Sequence, residues 1–130
     1  MASGNIPMGI PQWIYVEDSS SSNSNLSYPY TVSGNGYVIV NAYIRSDTTS
    51  DSGTAIAQIS HTNTTDTYAR AWCMTRIQTA QGIEIGTNAS AAFKVENGDT
   101  VEPILSCNKN GTKRVRYSIM AFGCTLTAQS

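Results

Sequence analysis

Asp47 and Asp51 share one polar stretch, SDTTSDSG, and His61 stands at the border of another, so these three have side-chain types that suit ligand binding from loops. Aspartates near backbone carbonyls can hold Ca²⁺, but the spacing is not that of an EF-hand loop and the expectation is a solvated turn. His61 is the sole histidine, and no nucleophile or carboxylate can be placed beside it from spacing, so it is expected on a surface loop. Serine is abundant, yet no G-x-S-x-G segment builds a nucleophile elbow. The nine acidic residues are scattered, with no pair assignable to acid and base roles. The chain is therefore read as not an enzyme, with no cofactor and no metal.

Three further groups carry weaker chemistry. Cys73, Cys107 and Cys124 lie in strand-like runs without close spacing, and an odd count does not make a disulfide framework. Buried free thiols acting as small hydrophobes are expected. Lys109, Lys113, Arg114 and Arg116 form the basic cluster of the chain, around Asn110-Gly111. Such a cluster can touch phosphate or an anionic glycan, and it is read first as the solvated end of a hairpin. Tyr15, Tyr28, Tyr30, Tyr68 and Trp72 can line a sugar-stacking face, although packing explains each equally well.

Composition narrows the classes. The chain has 130 residues, enough for one domain with a substantial core. Only 13% of residues are charged, against about 25% in ordinary globular domains. Ser, Thr and Asn take their place, a composition common in extracellular, viral and fibre-like β proteins. A net charge of −1 offers no bulk field for nucleic acid. No apolar run approaches the ~20 residues of a membrane-spanning helix, so no membrane insertion is expected. The start, MASGNIPMGIPQW, has no basic and then apolar region of a signal peptide. The chain is expected to be made in the cytoplasm and to reach any surface by assembly into a particle.

The elements that must position these groups are strands. Period-two alternation recurs at 12–17, 28–32, 36–45, 54–60, 67–78, 82–86, 90–96, 99–107 and 113–127, with polar stretches at 18–25, 46–53 and 62–66 between them. Ser33-Gly34-Asn35-Gly36, Asn97-Gly98-Asp99 and Asn110-Gly111 read as turns, the last two as hairpin signals. Pro103 places its strand at an edge or beside a bulge. The pattern predicts an all-β, single-domain jelly-roll sandwich of about 8–10 antiparallel strands over 13–130, preceded by an arm over 1–12.

Two strands carry apolar residues on both faces. In 36–45, Val38, Val40, Ala42 and Ile44 share one parity, leaving Tyr37, Ile39 and Tyr43 on the other. In 113–127, Val115, Tyr117 and Ile119 share a parity, which passes to Met120, Phe122, Cys124 and Leu126. Either a bulge near Gly123 re-aims that strand or it enters a zone covered on both faces. If one face makes the core, Tyr37, Ile39, Tyr43, Met120 and Phe122 become candidates for contact with other copies of the chain.

The segment order resembles the C1q/tumour-necrosis-factor-like jelly roll. Gly34-Asn35-Gly36-Tyr37-Val38-Ile39 stands where that family has G-x-Y-x-F, with an aliphatic residue in the last place. Residues 91–96, Asn97-Gly98-Asp99 and 100–106 match its strand, Gly-Asp turn and strand, and Ser118-Ile119-Met120-Ala121-Phe122-Gly123 is an imperfect match to its final S-x-F-x-G-F. The resemblance spans roughly 26–126. It implies a homotrimer whose first and last strands lie towards the three-fold axis. No collagen-like stalk or heptad repeat stands before the matched region, which points to bacterial or phage relatives. The expected function is a homotrimeric structural or adhesive component of a phage or prophage virion, such as a fibre head, capsid decoration or tail protein, attached through the arm over 1–12 and able to meet a cell-surface glycan or receptor. A carbohydrate- or ligand-binding module on a bacterial surface is the alternative.

Overall fold

Alternation at period two resolves into ten strands among the described residues. A computed structural model describes residues 9–46, 52–63, 69–79 and 85–129, with the backbone alone at 69–73, 79 and 85. The strands are β1 (Gln12–Ser20), β2 (Leu26–Ser27), β3 (Tyr30–Ser33), β4 (Gly36–Ser46), β5 (Gly53–Thr62), β6 (Ala69–Thr79), β7 (Ile85–Val95), β8 (Thr100–Cys107), β9 (Lys113–Phe122) and β10 (Thr125–Ala128). One sheet runs β1-β9-β4-β7 and the other β10-β3-β8-β5-β6, with β2 also pairing β8. Every pairing is antiparallel. The chain is an all-β sandwich in jelly-roll order. No helix among the described residues is long and apolar enough to cross a membrane.

Burial follows the alternation. Val38, Val40, Ala42 and Ile44 of β4 face Ala55, Ala57 and Ile59 of β5 and Val101 and Leu105 of β8, all 1% exposed or less. Small and β-branched side chains suit this space because they are stiff at χ1 and stack between sheets roughly 10 Å apart. Cys107 and Cys124 are buried free thiols, and burial raises the Cys124 thiol above its ordinary range.

The turn signals mark reversals rather than pairings. Asn97-Gly98 and Asn110-Gly111 each join strands of opposite sheets, whereas the β5–β6 connection joins paired neighbours. The hairpin reading of those two turns is thereby corrected. A tight turn dictates that the chain reverses; the buried faces decide which sheet each arm joins. Gly98 has a φ of 90°, a left-handed geometry that favours glycine. The turn is stitched to the β3–β4 connection through Gly98 N–H to Val32 O at 2.8 Å, Val32 N–H to Asp99 O at 2.8 Å, and Gly34 N–H to Asn97 Oδ1 at 2.8 Å.

Other boundaries also move. The segments at 82–86 and 90–96 meet in one strand, Ile85–Val95, which β4 pairs continuously from Gly36 to Ser46, while 82–84 lie outside the described residues. The long run at 113–127 divides at Gly123, which takes a φ of 76° as the chain crosses between sheets. That crossing explains the parity change: Ala121 stays inward in β9, Met120 and Phe122 lie on the outer side, and Cys124 and Leu126 turn inward from the other sheet. Pro103 is not at an edge, because β8 lies between β3 and β5. Its carbonyl accepts from Tyr28 N–H at 3.0 Å, so its donor-less nitrogen faces the break between β2 and β3, where the ladder loses little.

Two polar devices bind the sheets together. The Gln12 amide accepts from Leu126 N–H at 2.7 Å and donates to Leu126 O at 3.0 Å, acting as a short extra strand between β1 and β10. Tyr30 and Tyr117, on facing sheets, join hydroxyls at 2.6 Å, while the Tyr28 ring packs on Tyr117 with centroids 4.7 Å apart. Burial first, then the Asp18 carboxylate, pushes Tyr28 from 10.0 up to about 12. Burial and the Tyr30 hydroxyl raise Tyr117 as well. Tyrosine is neutral when protonated, so folding holds these protons more tightly than the unfolded chain does. Stability is therefore unaffected by these groups below about pH 10 and falls as pH climbs towards 12. Melting curves across that window are expected to show the decline, and Tyr28→Phe should reduce it; an equal decline in the variant contradicts the assignment.

Candidate functional site

The alternation that fills the core leaves the other face of β1-β9-β4-β7 without a covering layer among the described residues. Register places its side chains in rows across the strands. Phe122, Tyr37 and Lys94 form one row, and Trp13, Met120, Ile39 and Ala92 the next. Tyr15, Ser118, Asn41 and Ser90 follow, then Glu17, Arg116, Tyr43 and Asn88, and last Ser19, Arg114, Arg45 and Gly86. The face thus grades from apolar through neutral polar to charged. Of the seven large apolar side chains exposed among the described residues, Trp13, Tyr15, Tyr37 and Ile39 belong to it. Tyr37 is 54% exposed and Ile39 40%, whereas Met120, Phe122 and Tyr43 are half-buried.

The five residues singled out for contact between copies, Tyr37, Ile39, Tyr43, Met120 and Phe122, therefore share one face. They do not share one environment. Tyr43 lies at the charged end, with the Arg116 guanidinium carbon 5.2 Å from its ring centroid. Sequence reading missed Trp13 and named Tyr15 for a sugar-stacking face alone; both extend this face across β1 and stack with centroids 5.7 Å apart. Their signal was the parity that Trp13, Tyr15 and Glu17 share. At the charged end the Tyr15 hydroxyl donates to Glu17 Oε1 at 2.5 Å, and that bond raises the phenol above its ordinary value. Glu17, Asp18, Ser19, Tyr43, Arg45, Arg114, Val115 and Arg116 surround a groove of about 450 Å³ there.

The loop candidates fare differently. Asp47 and Asp51 lie outside the described residues. His61 is not on a surface loop: it belongs to β5, is 4% exposed, and its Nε2 lies 2.7 Å from Asp99 Oδ2. The correction has a physical cause. The β5–β8 pairing extends to Thr62, so His61 faces inward beside the Phe93 ring and the turn that holds Asp99. The same Asp99 oxygen accepts Glu96 N–H at 2.9 Å. This buried pair closes a turn, and 38 residues of separation hid it from spacing.

The basic cluster divides as well. Lys109 and Lys113 are fully buried, which corrects the solvated-end reading. Lys113 begins β9, and its Nζ donates to Ser21 O at 3.3 Å and to Asn23 Oδ1. Burial of an ammonium is tolerable when carbonyl-type acceptors replace water. Arg114 and Arg116 instead point outward into the groove. The proposed aromatic sugar face does not form, since Tyr30 is 7% exposed and joins the core while Tyr15 is 45% exposed on the opposite sheet. Tyr68 and the Trp72 side chain are outside the described residues.

No family model matches the chain, and no curated protein matches it. Among solved structures, 27 chains match. One is a CocE/NonD family hydrolase from Staphylococcus aureus, with a TM-score of 0.48 and 9% identity, over 87% of this chain and 33% of that one. The chain thus spans about a third of that protein's length. The reading that the chain is not an enzyme is corrected by this finding: a matching structure is that of a hydrolase, and absence of activity is no longer asserted. A likeness at that TM-score and identity assigns the chain no activity, substrate or catalytic residue either.

The buried pair makes a direct prediction. Asp99→Ala removes the acceptor for both His61 and Glu96 N–H, and should lower stability by roughly 3 kcal/mol in urea unfolding. A loss below about 0.5 kcal/mol, the ordinary range for surface changes, would show that the pair does not hold the turn.

Proposed function

We propose that this chain is a homotrimeric structural or adhesive protein of C1q/tumour-necrosis-factor-like type, carried by a phage or prophage virion as a fibre head, capsid decoration or tail protein. The observation that carries the reading is the apolar half of the outer face. Trp13, Tyr37, Ile39, Met120 and Phe122 stand in two adjacent rows on β1, β9 and β4. A soluble monomer gains nothing from that arrangement, whereas burying one such side chain is worth about 1.5–3 kcal/mol.

Other copies of this chain are the occupants that best suit the face. It is rigid, it presents large aromatic anchors, and its one charge in those rows is Lys94 at the β7 edge. Interfaces of this kind are depleted of charge at their centres and enriched in Tyr, Trp, Phe and Met. The alternation of strands between sheets, with first and last long strands β1 and β9 side by side beside β4, supports the family likeness. The hydroxyl- and amide-rich, weakly charged composition supports exposure on a particle. In this reading the segment before β1 attaches the trimer to the particle, and the opposite ends of the strands face outward.

Ile39→Glu tests the reading, since it sets an unpaired carboxylate in the centre of the apolar rows. Sedimentation velocity is expected to show trimers for the wild type and monomers for the variant, with the far-UV β signal unchanged. Trimers in both would place the contact elsewhere.

A further inference from the structure

Three asparagines of the chain stand directly before glycine: Asn35, Asn97 and Asn110. An asparagine in that setting has a reaction of its own. The glycine nitrogen, with no side chain in the way, loses its proton and attacks the asparagine side-chain carbonyl carbon. Ammonia leaves as a succinimide ring closes, and water then opens the ring at either carbonyl. The product is aspartate or isoaspartate, each with a new carboxylate. The glycine nitrogen must be free to attack and the backbone free to bend, so the fold decides which pair reacts.

Two of the pairs are locked into each other. Gly98 N–H donates to Val32 O at 2.8 Å, and Asn97 Oδ1 accepts from Gly34 N–H at 2.8 Å. Asn35 Oδ1 accepts from Asn97 N–H at 2.9 Å, and Gly36 is already the first residue of β4, paired with Val95. The Gly36 backbone also lies against the Phe122 carbonyl, which leaves it no room to turn. The third pair is built differently. Asn110 and Gly111 are exposed in the connection from β8 to β9, and Gly111 N–H has no hydrogen-bond partner among the described residues. Gly111 takes a φ of 98°, a geometry that keeps this position for glycine.

We infer that Asn110 is a self-modification site, deamidated by attack of Gly111 in the folded chain while Asn35 and Asn97 keep their amides. The product has a place in the structure. Asn110 Oδ1 accepts from Asn23 Nδ2 at 3.1 Å, and Asn23 Oδ1 accepts from the buried Lys113 ammonium. A carboxylate formed at 110 therefore stands one amide away from that ammonium and is attracted to it. It adds a negative charge to a chain whose net charge is −1. Isoaspartate also adds a methylene to the backbone where it crosses between the sheets. The chemistry belongs to a single copy, so it goes beyond the trimer reading and does not depend on it.

The test is incubation of the full chain in mildly alkaline heavy-oxygen water, folded and in guanidinium chloride, followed by peptide mapping with mass spectrometry. In guanidinium all three sites are expected to gain labelled acid at similar rates. On folding, the Asn110 rate should stay within about threefold of that value, because an exposed connection opens at almost no cost. The Asn35 and Asn97 rates should fall about tenfold or more, since their hydrogen bonds must open first. Asn110→Gln, which cannot close the same ring, should remove the folded-state signal. No labelled acid at Asn110 in the folded chain, or equal folded rates at Asn97 and Asn110, would overturn the assignment. The same site-to-site differences in guanidinium would also overturn it, since the fold would then not be their cause.

Discussion

Alternation along β4 is the constraint from which the rest of the structure follows. A strand sends successive side chains to opposite faces, so filling the core with Val38, Val40, Ala42 and Ile44 forces Tyr37, Ile39, Asn41, Tyr43 and Arg45 outward. A slip of one residue would expose four apolar side chains and bury an arginine and two tyrosines, so the register is strongly specified. β9 and β7 take their registers from β4, and β1 takes its own from β9. The apolar rows and the charged groove are thus two ends of one surface whose composition was settled when the core was.

Most of the sheet architecture was legible for the same reason. Inward sets such as Ala55, Ala57 and Ile59, or Val101, Leu105 and Cys107, are local patterns that need no knowledge of the partner strand. What was not legible depends on meeting distant residues. The hairpin reading of Asn97-Gly98 failed because a turn motif does not encode the sheet that receives the next strand. His61 looked like a loop residue until Asp99 was brought to it, and Lys113 looked solvated until 21–23 folded over its ammonium. Gly86 carried no message in sequence, because its meaning is the Tyr43 ring that fills its place.

Polar residues with long-range partners do a second job in this fold. Gln12, Asp99 and the Tyr30–Tyr117 pair each join segments far apart in the chain, mostly near the ends of strands where the apolar core thins. Such contacts add modest net energy when made and cost more when one partner is removed. They fix which ends meet, while Val, Ile and Ala supply the bulk of the burial. The outer face takes no part in that joining of the sheets, and its contacts, such as Tyr15 with Glu17 and Arg116 with Tyr43, run within one sheet.

The central claim is that the apolar rows of this face are covered by other copies of the same chain. Native mass spectrometry of the wild-type chain at micromolar concentration tests it most directly. The account predicts a dominant species of three chain masses, which gives way to single chains when the apolar rows are disrupted. A stable single chain at that concentration would contradict it.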